Sequence, residues 1–112
     1  MRNKYSNIKT VIDGITFDSR KESVRYGELK LLEKAGVIKD LVLQPRFELQ
    51  EGFNDKRGKH HRAITYIADF QFYDVKRKET IVEDVKGMRT QLYVQKMKLL
   101  LYKYPNINFY EL

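Results

Sequence analysis

Residues 63–87 read AITYIADFQFYDVKRKETIVEDVKG, and this stretch decides the fold class. Apolar and β-branched residues dominate two runs, 63–72 and 80–86, and the charged residues 74–79 between them are typical of a turn. We therefore expect two adjacent strands, the second ended by Gly87. Because the first run is largely apolar on both faces, it predicts a central position in a sheet.

The flanking sequence predicts a hairpin, two helices and two further strands. Asp13-Gly14 favours a tight hairpin turn within residues 10–17. The spacing of Ser19 and Glu22 predicts a capping box at the start of a helix that runs through Ala35. The remaining elements are a strand over 42–49 in which Pro45 favours an edge position or a bulge, a polar loop or flared hairpin end over 51–62, a helix over 91–104 and a last strand over 107–112.

Composition limits the class of protein. The 112 residues, 42% hydrophobic and 12% aromatic, predict one domain over 10–112 that follows a basic, flexible arm over 1–9. We expect a cytoplasmic protein without a membrane partner, because no apolar run could span a bilayer or form a secretory signal. The absence of Cys excludes disulfide and thiolate chemistry. A net charge of +7 and a pI near 9.6 favour a nucleic-acid partner.

Carboxylates and a lysine converge in the two central strands. Alternation puts Asp84 and Lys86 on one face, and a hairpin partner brings Asp69 beside Asp84. Two such carboxylates repel each other unless a cation lies between them, which suits Mg²⁺ or Mn²⁺ with a substrate phosphate. Lys86 would orient or deprotonate a metal-bound water, so the pattern predicts phosphodiester hydrolysis. Such a triplet is also common as a solvated ion pair, but Asp69 interrupts an apolar strand, where an unpaired charge is costly.

The first helix offers a third acid. Glu28 lies near the middle of an apolar arc and Glu22 lies outside it, and either could reach the sheet. Each also has a purely structural explanation, at the domain edge for Glu28 and in the capping box for Glu22. The arc consists of Val24, Leu31, Leu32 and Ala35.

The order of these elements and acids resembles the PD-(D/E)XK nuclease superfamily, which includes type II restriction enzymes, archaeal Holliday-junction resolvases and the nuclease subunit of some transposases. A phage-encoded branch of unknown function is similar over residues 15–112. The similar segments are FDSRKE (17–22), YGELKLLEKAGVI (26–38), LQPRFEL (43–49), YIADF (66–70), VEDVKG (82–87) and YKYPNINFYEL (102–112). The resemblance implies an α/β (α+β) fold: a restriction-endonuclease-like αβββαβ core with a central mixed sheet flanked by two helices, preceded by a small hairpin.

The resemblance also implies roles for individual residues. Asp69 and Asp84 become the metal-binding carboxylates, Lys86 the catalytic lysine, and the backbone carbonyl of Val85 completes the metal site. Glu22 becomes the helix glutamate that reaches the metal directly or through water.

Several positions leave alternatives open. Glu28 is the second choice for the helix acid, and Glu83 would replace Asp84 if the strand twisted or bulged. Ala68 stands where the superfamily has Pro. Gln44 is a candidate neighbour of the site for which the sequence offers no physical argument.

Two basic segments are candidates for contact with DNA phosphates. One is the 51–62 loop, whose adjacent histidines point apart and therefore make a poor metal motif. The other is the second helix, where no acidic residue occurs from 89 to 107. The candidates are Lys56, Arg57, Lys59 and Arg62 in the loop, and Arg89, Gln91, Gln95, Lys96 and Lys98 on the helix. A stripe of Tyr93, Met97, Leu100 and Tyr104 on the same helix is expected to face the core.

These features together predict a DNA endonuclease that depends on Mg²⁺ or Mn²⁺. The small chain favours recognition of branched DNA by shape, as in a Holliday-junction resolvase of phage recombination or replication. Symmetric cutting of two strands needs two sites, so we expect a homodimer. The alternatives are a non-catalytic DNA-binding or replication adaptor that retains the nuclease fold, and an RNA or defence-related nuclease.

Overall fold

The structure is a computed structural model that describes residues 9–85 and 89–112. It has a mixed α+β fold, with mostly strands and two helices. Lys86 and residues 1–8 of the expected arm lie outside the described residues. No helix in the described ranges is long and apolar enough to cross a membrane. In chain order the elements are β1 (Thr10–Ile12), β2 (Ile15–Phe17), α1 (Arg20–Lys34), β3 (Ile38–Leu43), β4 (Arg46–Gln50), β5 (Phe53–Asn54), β6 (His60–His61), β7 (Ile64–Ile67), β8 (Phe70–Asp74), β9 (Glu79–Asp84), α2 (Gln91–Lys103) and β10 (Ile107–Glu111).

The central sheet is mixed and has the strand order β10-β9-β8-β3. β8 pairs antiparallel with both β9 and β3, which confirms the expected central position for the second half of the apolar run 63–72. The first half, β7, pairs among the described strands only with β4 in a separate two-stranded sheet, so the prediction is wrong for that half. β10 pairs parallel with β9. A parallel pair needs a crossover connection, and α2 forms part of it.

The two helices belong to two separate apolar clusters, one on each face of β9. Ile81 packs in the cluster that contains Tyr26 and Leu29 of α1, whereas Val82 packs with Tyr93 and Leu100 of α2. Because successive strand residues point to opposite faces, α1 and α2 cover opposite sides of the sheet at this strand. The core position expected for the Tyr93 stripe on α2 is thereby confirmed.

α1 begins as the sequence predicts but buries a different face. Ser19 is its N-cap, and the Ser19 side chain accepts a hydrogen bond from the backbone N–H of Glu22 at 3.1 Å. The expected apolar arc is wrong, because Val24 and Leu31 are 55% and 70% exposed. The buried residues are Ser23, Tyr26 and Leu29.

The N-terminal hairpin explains this rotation of α1. β1 and β2 pair around Asp13-Gly14, as expected, and Phe17 and Tyr26 lie with ring centroids 5.0 Å apart. The Tyr26 hydroxyl also donates to Asp13 at 3.0 Å. The hairpin thus selects the face of α1 that contains Tyr26, and hydrophobicity within the helix does not reveal that contact.

The strands expected over 42–49 and 63–72 are each broken in two. Gln44-Pro45 separates β3 from β4, and Ala68-Asp69 separates β7 from β8. Gln44 has a φ of 50°, in the left-handed region that few non-glycine residues adopt, and Pro45 has no backbone N–H for a ladder. The break at Gln44-Pro45 therefore has a local physical cause, and the break at Ala68-Asp69 lies directly opposite it.

β3 and β4 pair antiparallel with β8 and β7, respectively, and together they form one long two-stranded ribbon. Its two halves keep one register across the break. Leu43 pairs with Phe70 on one side of it and Arg46 with Ile67 on the other, which puts Gln44 opposite Asp69. The outer half, β4 and β7, leaves the central sheet and packs with α2. The 51–62 segment at its far end is the flared end of a hairpin, closed by β5 and β6.

Candidate functional site

The bend in the ribbon leaves a cavity of about 190 Å³ beside the start of α1. Glu22, Gln44 and Asp69 supply its polar wall. Its apolar wall comes from the N-terminal hairpin and the end of β3, with Ile15, Phe17 and Leu43 among the lining residues. The cavity therefore collects polar groups from three parts of the chain that are distant in sequence.

Asp69 is fixed in this cavity by three hydrogen bonds. Its carboxylate Oδ2 accepts from the backbone N–H of Val85 at 2.6 Å. Its own N–H donates to the carbonyl of Glu83 at 3.1 Å, and its carbonyl accepts from the N–H of Gln44 at 2.9 Å. Asp69 thus links the bent ribbon to the backbone on either side of Asp84, whereas Asp84 itself does not line the cavity.

Asp84 is buried, with 1% of its surface exposed. Its Oδ2 accepts a hydrogen bond from the hydroxyl of Tyr66. The ring of Tyr66 lies 6.2 Å from that of Tyr93, and burial, with smaller contributions from Glu111 and Asp84, raises the pKa of the Tyr93 hydroxyl. The orientation of the Asp84 carboxylate is therefore set by a phenol beneath α2.

The two glutamates of α1 have different surroundings. Glu22 lines the cavity with Asp69. The Glu28 side chain is 56% exposed and accepts a hydrogen bond from Arg25 at 3.1 Å. The structure thus brings Glu22, and not Glu28, to Asp69.

Glu83 forms an ion pair beneath α1. Its side chain is 4% exposed, and its two oxygens accept from Nε and Nη2 of Arg25 at 2.8 and 2.6 Å. These hydrogen bonds raise the pKa of Arg25, while partial burial opposes the rise. Glu83 therefore joins β9 to the helix that contains Glu22, which accounts for a buried carboxylate without any metal.

The donor groups around Asp69 suit a hard cation. Within residues 9–85 and 89–112, no group of three or more His, Asp or Glu side chains is arranged to hold a metal ion. Mg²⁺, however, is commonly bound by one or two carboxylates with water and substrate phosphate as its other ligands. Glu22 and Asp69, two carboxylates in one cavity, fit that requirement.

The basic residues expected to contact DNA lie on two surfaces. Lys56, Arg57 and Lys59 are exposed at the tip of the β5–β6 hairpin, and Arg62 is exposed beside it. Asp55 holds this tip by accepting from the N–H groups of residues 57 and 59 at 2.9 and 3.1 Å.

The histidines of this hairpin have polar partners. His60 lies 2.9 Å from Asn54, and His61 lies 2.9 Å from Asp55. The ring of Phe53 stacks on His61 with centroids 4.9 Å apart. These contacts close the two strands of the hairpin against each other.

On α2, the exposed residues among the candidates are Gln91, Gln95 and Lys98. Lys96 is half-buried and lines a surface depression with Tyr66 and Tyr93. Arg89, just before the helix, is paired with Glu111 at 3.2 Å. The cationic surface of α2 thus begins beside the tyrosines that surround Asp84.

Gln44 is the residue for which the sequence offered no argument. The common register of the two ribbon halves explains its position, because directly opposite residues on paired strands are neighbours. The signal that could have identified it is the coincidence of two interruptions, Pro45 in one apolar run and Asp69 in the other.

Comparison with family models identifies the family of this chain. The model of a family described as "Protein of unknown function (DUF1064)" matches residues 2–111, and the chain therefore belongs to this family. Searches of curated proteins and of solved structures found no match.

Proposed function

We propose that this member of the family is a metal-dependent nuclease with a restriction-endonuclease-like core, which hydrolyses phosphodiester bonds in DNA. One observation carries the proposal: Glu22 and Asp69 share a cavity, and the Asp69 carboxylate is hydrogen-bonded to Val85, between Asp84 and Lys86 in sequence. Two acids of the PD-(D/E)XK pattern thus share the cavity, and the other two positions, Asp84 and Lys86, flank in sequence the residue that Asp69 contacts. A solvated surface ion pair does not require this convergence.

In this proposal Glu22 and Asp69, which share a cavity, would hold Mg²⁺ or Mn²⁺ together with the carbonyl of Val85, and Asp84, which does not line that cavity, would contribute through a water ligand. The ion supplies a Lewis acid for the phosphate and a water of lowered pKa. Tyr66 keeps the Asp84 carboxylate in one orientation, a role typical of groups that hydrogen-bond to metal ligands.

The basic residues have two roles in the proposal. Lys86 orients the attacking water and offsets negative charge that develops on the phosphate. The exposed cations of the hairpin tip and of α2 bind the DNA backbone, in keeping with the net charge of +7. The substrate we propose is branched DNA, cut by a homodimer that supplies one site for each strand.

The direct test is incubation of the full chain with a labelled four-way junction and with a matched linear duplex, in Mg²⁺, in Mn²⁺ and in chelator. We expect metal-dependent cleavage, faster for the junction. Asp69→Asn, Asp84→Asn and Lys86→Ala should each lose at least about 100-fold in rate, since each removes a group that acts on the reacting phosphate or its metal.

Glu33→Gln is the matched control, because it neutralises a carboxylate near the other end of the same helix, away from the cavity. It should cleave at the wild-type rate. Intact DNA under every condition, with binding retained, would overturn the nuclease proposal in favour of the adaptor. Cleavage of RNA but not DNA would overturn the substrate.

A further inference from the structure

A second and larger concavity, of about 630 Å³, lies along the outer face of α1. Its apolar floor contains Val24, Val85 and Leu112. Arg20 and Lys21, both exposed, form its rim at the start of α1. We call this concavity the α1 groove; it contains none of the basic residues discussed above as DNA contacts.

The α1 groove adjoins the candidate site through Val85. This residue lines the groove, and its backbone N–H donates to the Asp69 carboxylate at 2.6 Å. On α1, Lys21 lines the groove and its neighbour Glu22 lines the cavity that contains Asp69. An extended ligand that leaves the candidate site over the start of α1 would therefore enter the groove.

The charges of the groove favour an anionic occupant. Glu28 on its wall is paired with Arg25, which is also paired with Glu83. Among the described side chains, Arg20 and Lys21 form no ion pair, so their charges are available to a ligand. A second copy of this chain, itself at +7, would be repelled by such a rim.

We propose that the α1 groove binds the nucleotide next to the scissile phosphate. The phosphate of that nucleotide lies against Arg20 and Lys21, and its sugar and base cover the apolar floor of Val24 and Val85. Grooves that bind nucleic-acid strands combine cations that follow the backbone with side chains that contact the base faces, most often aromatic ones. In the α1 groove these side chains are aliphatic. The position of this nucleotide relative to the cleaved bond rests on the proposed nuclease function, whereas its binding does not.

The test is the affinity of the full chain for the labelled four-way junction, measured by fluorescence anisotropy in chelator over a range of salt concentrations. Arg20→Gln/Lys21→Gln should bind about 10-fold more weakly. The magnitude of the slope of log affinity against log salt should fall by about 1, because one phosphate fewer is neutralised by the protein.

The matched control is Lys34→Gln/Lys76→Gln, which removes the same charge from exposed positions outside the groove. Its affinity should stay within about 2-fold of wild type, and its salt slope should change by less than half as much as that of the groove variant. Circular dichroism of both variants verifies folding. A second experiment replaces the junction phosphates one at a time with neutral methylphosphonates. Replacement of one particular phosphate should weaken binding by the wild type and leave binding by the groove variant unchanged.

Equal affinities and salt slopes for the groove and control variants would overturn the proposal. That result is distinguishable from failure of the nuclease function, because cleavage is measured separately. Wild-type cleavage with unaltered binding by the groove variant rejects the groove alone. Weakened binding by the groove variant without any wild-type cleavage supports the groove and rejects the nuclease.

Discussion

Replacement of Arg25 by Met should destabilise the fold more than any change at an exposed ion pair. It removes both hydrogen bonds to Glu83 and leaves a carboxylate that is only 4% exposed without its cation. Loss of one partner of a buried ion pair costs about 3–5 kcal/mol. The Arg25 side chain is 26% exposed, so water can reach the vacated position, and we expect the lower value, about 3 kcal/mol.

Thermal unfolding followed by circular dichroism measures this loss. At about 4 °C for each kcal/mol in a domain of this size, the melting temperature should fall by about 12 °C. The double variant Arg25→Met/Glu83→Leu should recover most of the lost melting temperature, because an apolar pair can replace a buried ion pair with little loss of stability. Lys30→Met, which breaks the more exposed pair with Glu33, is the control. If Arg25→Met lowers the melting temperature no more than the control does, the buried pair with Glu83 does not stabilise the fold as proposed.

Three further predictions follow from single contacts. Tyr66→Phe removes a hydrogen bond to the buried Asp84 carboxylate. Its free energy of unfolding, measured in urea, should fall by about 2 kcal/mol, and it should bind Mn²⁺ more weakly; an unchanged free energy of unfolding would contradict this prediction. Gln44→Gly should relieve the left-handed backbone and raise the free energy of unfolding in urea by about 1 kcal/mol, so a less stable variant would be evidence against strain there. The hydrogen bond with His61 is the main cause that lowers the pKa of Asp55, and backbone N–H groups add to it. The ionised Asp55 should therefore keep the hairpin tip ordered above the ordinary carboxyl pKa. This order should be lost as pH falls through the lowered pKa of Asp55. Amide exchange should show this acid-induced opening in the wild type and not in Asp55→Asn.

The sequence determines the elements of this fold better than their breaks. The Ser19 cap, the Asp13-Gly14 hairpin and the apolar stripe of α2 are local patterns, and the structure contains each of them. Local patterns do not reveal that two apolar runs bend at one level. That bend depends on Gln44 and Asp69 meeting across the ribbon, which is a tertiary contact.

The site was predictable to a similar extent. Strand pairing was sufficient to expect the backbone of Asp69 near that of Asp84. In the antiparallel pair of β8 and β9, Phe70 lies opposite Glu83, and Asp69 and Asp84 are the next residues along the two chains. The choice between Glu22 and Glu28 was not predictable from the sequence. It depends on which face α1 turns towards the sheet, and the contacts of Tyr26 with the hairpin determine that face.

Binding of Mn²⁺ to the full chain, followed by electron paramagnetic resonance, tests most directly whether Glu22 and Asp69 form a metal site. We expect one bound ion per chain, with affinity reduced at least about 10-fold in Asp69→Asn and in Glu22→Gln, because each variant loses a metal ligand. Glu28→Gln should bind like the wild type. Equal Mn²⁺ affinity in all four proteins, or no binding to any of them, would contradict the account.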